Sequence, residues 1–205
     1  MPMEAMVVDA RSALAPGAFS HPRYRIKRPF WQVFGRKFRV LAPDGSLVMF
    51  IKHPIFKLRE EFTVFADEAQ TQPLLRVKSR QVIAINRAFE VWDALAGTFM
   101  GTIQARGIKS IVRDTWDILD AQETPIGLMQ EEGAALLRRF LPFLTSKHRI
   151  EIGGETVVRM RQIFRFFVKE FELDVSLGQG RIDTRFAIAC GLLALIAEAR
   201  REERN

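Results

Sequence analysis

The residues best suited to chemistry in this chain are cations that recur at every second position. Arg23, Arg25 and Lys27 alternate with Tyr24 and Ile26, and Lys37 and Arg39 flank Phe38. Arg76, Lys78 and Arg80 alternate around Val77, and Arg159 and Arg161 flank Met160. On an extended strand this spacing puts each set on one face, with the other turned to a core. Sets on neighbouring strands could form a wall that grips phosphates, each cation near an anionic membrane contributing roughly 1 kcal/mol. The competing reading is a scattered, solubilising surface.

The other titratable groups point away from catalysis. His21, His53 and His148 lie far apart, with no carboxylate or cysteine at ligand spacing, so no metal is expected. Glu131-Glu132 and Glu202-Glu203 are adjacent pairs, which read as solvated ends. Asp114, Asp117 and Asp120 around Trp116 offer a cation site, with hairpin solvation as the simpler reading. The single cysteine, Cys190, sits in an apolar run and reads as a small buried hydrophobe. It fits a reducing compartment and excludes a disulfide framework. There is no Gly-rich phosphate loop and no G-x-S-x-G. The expectation is a non-enzyme without cofactor.

The net charge of +7 is uneven: residues 21–60 carry +8, 61–132 carry −4 and 133–182 carry +4. A basic face drawn from the first and later thirds favours anionic partners.

The elements that must position these cations read as hairpins. Asp44-Gly45 between two alternating apolar runs is a strong hairpin signal. The unit of aromatic strand, turn and second strand recurs from Glu61, Phe89, Thr115 and His148. Its leading aromatics Phe38, Phe62, Phe89 and Trp116 are 24, 27 and 27 residues apart. Lys169 to Val175 reads as a final strand, with Phe171, Leu173 and Val175 on one side and Glu170, Glu172 and Asp174 on the other. About a dozen short-linked antiparallel strands with one oily face need a second sheet or closure into a barrel.

The chain also supplies a filling. From Phe186 to Ala197 it carries twelve residues with no charge. A helix there is apolar all round and must be enclosed, with Phe186, Ile188, Cys190, Leu192, Leu193, Leu195 and Ile196 as its core. At 1.5 Å per residue it reaches about 18 Å, short of a ~30 Å hydrocarbon core. Asp183 or Thr184 is the candidate N-cap. Ala134 to Leu144 reads as a short amphipathic helix, a lid over a barrel mouth or an interfacial element. Residues 1–22 are expected to be a flexible arm and 23–201 one barrel domain, with its central helix at about 183–200.

The repeated unit in FRVLAPDGSLVMFIKHP and EFTVFADEAQTQPLLRVKSR, the acidic strand FELDV and the closing helix DTRFAIACGLLALIAEA resemble the tubby-like barrel superfamily, in particular its LURP-one-related and phospholipid-scramblase-like members. The resemblance implies a mainly β fold, a closed antiparallel barrel of about twelve strands threaded by the C-terminal helix. It also implies binding of phosphoinositides through basic residues on the barrel wall, or calcium-dependent lipid movement. The cysteine cluster of scramblases and an Asp run after Leu177 for their calcium are missing, which places lipid transport second. The leading expectation is a non-catalytic module that binds anionic phospholipid headgroups or a protein partner at a membrane surface. Its expected place is cytoplasmic, peripheral at the membrane. Nucleic acid ranks last as a partner, because the aromatics are expected on the strand faces opposite the cations.

Overall fold

The computed structural model of the chain describes residues 17–29, 36–53, 61–80, 87–106, 115–132, 146–163 and 168–202. Twelve strands account for most of them: β1 (Arg23–Pro29), β2 (Arg36–Leu41), β3 (Leu47–His53), β4 (Phe62–Phe65), β5 (Pro73–Arg80) and β6 (Ala88–Asp93). The second half follows with β7 (Phe99–Ala105), β8 (Thr115–Leu119), β9 (Pro125–Glu132), β10 (Lys147–Ile152), β11 (Glu155–Ile163) and β12 (Val168–Asp174). A single α-helix, α1 (Thr184–Glu202), ends the described chain. Each strand pairs antiparallel with the next, and β1 pairs with β12, so the sheet closes into a barrel. The expected fold class is thereby met, helix included.

Side-chain alternation decides which face of each strand turns inward. Tyr24 and Ile26 of β1, Phe38 and Val40 of β2, Val64 of β4, Val91 of β6, Ile103 of β7 and Ile118 of β8 are all buried in one core. Around them pack Phe186 to Ile196 of α1, every one buried. Asp183 caps the helix, its carboxylate accepting the Arg185 amide at 2.8 Å. From Phe186 to Ile196 the helix therefore has no wet side, because the wall surrounds it, as its even hydrophobicity requires. No helix among the described residues is long and apolar enough to cross a membrane.

The hairpin turns share one device. Asp44, Asp67, Asp93 and Asp120 each accept hydrogen bonds from backbone amides two to five residues ahead, closing the turn with a side chain. The four lie 23, 26 and 27 residues apart, the same beat as the leading aromatics. Just before each of these turns the register slips, at Val40/Leu41, Val64/Phe65, Val91/Trp92 and Ile118/Leu119. Such bulges add local twist, which a sheet needs in order to close on itself. Gly127 has a different reason: a Cβ there would run into the Glu151 carbonyl on β10 and the Ile152 side chain.

These turns, together with Gly153-Gly154, lie at the end of the barrel where α1 starts. The six connections at the other end lie outside the described residues, and so does the helix expected at Ala134 to Leu144. Residues 17–22, read from sequence as the end of the arm, pack here: Ala18 is buried, and the Pro22 carbonyl accepts the Val175 amide at 3.0 Å.

Candidate anion-binding wall

With α1 filling the interior, polar chemistry is mostly confined to the outer faces of the strands. The ten cations singled out from sequence lie there as alternation requires, but the barrel divides them. Lys27 of β1 stands directly opposite Arg39 of β2, and Lys37 opposite Lys52 of β3. Across the seam, Arg159 and Arg161 of β11 face Arg149 and Lys147 of β10. Like charges directly opposite on a sheet work against folding, so these positions are occupied at some cost. Arg76, Lys78 and Arg80 of β5 belong to another sector, with β3 and β4 between them and β2.

Acids thread through this wall. Strand β12 lies between β1 and β11, placing Glu172 opposite both Arg25 and Arg161, and Asp174 opposite both Arg23 and Arg159. Arg23 binds Asp174 at 3.1 Å, Arg161 binds Glu172 at 2.8 Å, and Arg25 comes within 4.0 Å of Glu170. Burial pushes the Asp174 carboxyl up, but hydrogen bonds from Ser176 and the Arg23 charge outweigh it, leaving the group below its ordinary range. Arg39 grips Glu68 with two nitrogens, at 2.5 and 3.0 Å, which holds that carboxylate low as well. Arg80 bridges Glu90 and Glu123. More than half of the predicted set is therefore engaged within the molecule. Among the described residues, Lys27, Arg76 and Arg159 make no ion pair.

Several expectations need correction or relocation. Glu131 is no solvated end: it is 1% exposed, on the inner face of β9, directly opposite His148 of β10, which is 4% exposed. A histidine and a carboxylate with no helpful spacing in sequence thus meet across a ladder. Glu132 fits the earlier reading better, half-exposed and paired with Arg149 at 3.2 Å. The Asp117–Asp120 cation site dissolves into separate jobs, since Asp117 binds Arg106 at 2.6 Å and Asp120 closes its turn. Asp114, the Glu202 and Glu203 side chains and the His53 side chain lie outside what is described. Cys190 is buried, and burial pushes its thiol far up, so it remains a protonated hydrophobe.

The aromatics are not all on the inner face either. Trp92 of β6 points outward, its indole N–H donating to Glu90 at 3.2 Å, with Lys78 5.4 Å above the ring. Phe99 of β7 packs on Trp92 at 5.2 Å between ring centroids. The same sector carries Arg76 directly opposite Trp92.

At the end of the barrel, two ion pairs of one arginine anchor the helix. Arg185 of α1 binds Asp93 at the end of β6 and Asp183 at its own cap, the latter at 2.6 Å. Hydrogen bonding to Asp183 holds the guanidinium pKa above its usual value. Arg185 was not singled out from sequence, where it looked like one charge at the edge of an apolar run.

Comparison of the chain with protein-family models and with curated proteins returned no match.

Proposed function

We propose that the chain is a tubby-like, non-catalytic barrel that binds anionic phospholipid surfaces through its outer wall. The observation that carries the reading is the set of like-charged cross-strand pairs, Lys27–Arg39, Lys37–Lys52, Arg149–Arg159 and Lys147–Arg161, in which Arg39, Arg149 and Arg161 bind acids while Lys27 and Arg159 make no ion pair among the described residues. A folded wall that sets cations opposite cations gains when an anionic surface comes against it. The filled interior supports the same reading, because a ligand has no lumen to enter and must meet the outside. Lipid transport by the closing helix is disfavoured: α1 would have to leave its enclosure and give up the Arg185–Asp93 tie.

Flotation with vesicles tests this. The protein should rise with phosphatidylserine or phosphoinositide vesicles and stay behind with neutral ones. Binding should fall as salt rises, since exposed charges are screened within about 10 Å at 0.1 M. Equal recovery on neutral vesicles would sink the proposal.

A further inference from the structure

We propose that the β6–β7 hairpin is the element that enters the bilayer, with Leu95 at its tip, the Trp92–Phe99 pair at headgroup depth and Arg76 and Lys78 on the phosphates. This rests on the membrane reading above and adds to it the place and depth of contact.

Four observations converge on this hairpin. First, Leu95 is 40% exposed at the apex of the turn Ala94–Thr98, which contains no charged residue. The other turns at this end are acidic at or beside the turn: Asp44, Asp67 and Glu68, Asp120 and Glu123, and Glu155 after Gly153-Gly154. Among these hairpin turns Ala94–Thr98 is the one with no exposed acid at or beside it. Second, the acid that closes this turn, Asp93, is itself buried and bound to Arg185, so its charge is withdrawn from the tip. Third, Trp92 and Phe99 sit one step above the apex on the outer face, where an amphipathic ring suits the boundary between hydrocarbon and headgroup. Fourth, Arg76 is exposed, opposite Trp92 and without an ion pair among the described residues, and the Lys78 ammonium lies over the indole. The apex thus comes first, Trp92 with Arg76 level beside it comes next, and Lys78 follows opposite Glu90, an order that sets the leucine toward hydrocarbon and the rings and cations at the interface and phosphates.

The same residues argue against single-stranded nucleic acid as the occupant. Stacking needs an open ring face. Lys78 covers Trp92, Phe99 packs on it and Glu90 takes its N–H, whereas the exposed leucine suits hydrocarbon.

The test uses the full chain with vesicles of phosphatidylserine and phosphatidylcholine, part of the latter brominated in its acyl chains. Tryptophan fluorescence, read in a Trp31→Phe background because the chain carries a third tryptophan there, should be quenched on binding, and Trp92→Phe should remove that quenching. Trp116, buried in the barrel, should stay unquenched. Leu95→Asp should weaken vesicle partitioning by about tenfold, and Arg76→Ser by about fivefold. Leu177→Asp, at a leucine 48% exposed in the connection between β12 and α1, should change partitioning less than twofold. Thermal melts of the variants, at surface positions, should match the parent. If the parent floats on anionic vesicles but Trp92 is not quenched and Leu95→Asp floats equally well, this inference is overturned and the wall reading stands. If the parent does not float, both fall. Tighter binding of a single-stranded oligonucleotide than of vesicles, unaffected by Leu95→Asp, would also overturn it.

Discussion

The two faces of strand β12 obey different rules. Phe171 and Leu173 turn inward, and what they meet is shape: the wall and helix close around them with every side chain buried. Glu172 and Asp174 turn outward between two basic strands, and what they meet is charge. The inner face tolerates little change because a lost methyl leaves a void that neighbours only partly refill. The outer face is tolerant, because ion pairs in water are worth little individually. Stability should therefore reside inside, and recognition outside.

The sharpest way to probe the inner rule is to open a void at its centre. Leu193→Ala in α1 is expected to cost about 3–4 kcal/mol in chemical denaturation. Gly127→Ala does the reverse, forcing a methyl against the β10 backbone, with an expected cost of about 2–3 kcal/mol by the same measurement. Asp93→Ala stands on the border between the faces. It removes the bonds to the Leu95 and Ala96 amides and leaves Arg185 with Asp183 alone, so a loss of about 2 kcal/mol is expected.

Acid should expose the border as well. Asp183 is pushed up by burial but pulled further down by its hydrogen bonds to Arg185, and its folded pKa lies below the ordinary 3.8. The unfolded chain then binds protons first as pH falls, so this stabilisation is full above the ordinary value and drains away below it. Denaturant midpoints measured down through that range should fall, and Asp183→Asn should flatten the fall. The smallest effect belongs outside. Arg161→Ala, at a pair whose arginine is largely exposed, should shift stability by less than about 0.5–1 kcal/mol. A loss comparable to Leu193→Ala would erase the distinction between the faces.

What could be read in the sequence follows the same division. Alternation and turn residues are local, so the hairpins and their order were legible from runs such as Phe38 to Lys52. The even oiliness of Phe186 to Ala197 called for an enclosure, which the strands provide. The charged pairs were not legible, since Lys37 meets Lys52, and Arg149 meets Arg159, only through register. The same holds for Glu131 and His148. Trp92 departs from the general expectation for aromatics, since the run Phe89-Glu90-Val91-Trp92-Asp93 places it on the face of Glu90. The Asp44, Asp67, Asp93 and Asp120 beat was present in the sequence, hidden because its spacing varies between 23 and 27 residues.

Arg23 and Asp174, joined where β1 meets β12, are 151 residues apart in the chain. During synthesis the first strand must wait, its hydrogen-bonding edge bare, until the last one has left the ribosome, and the hollow stays unfilled until α1 follows. Folding with contacts this distant is slow, and a raw edge invites pairing with other chains in the meantime. A nascent chain stalled before Val168 should accordingly be a client for chaperones, and one released after α1 should not.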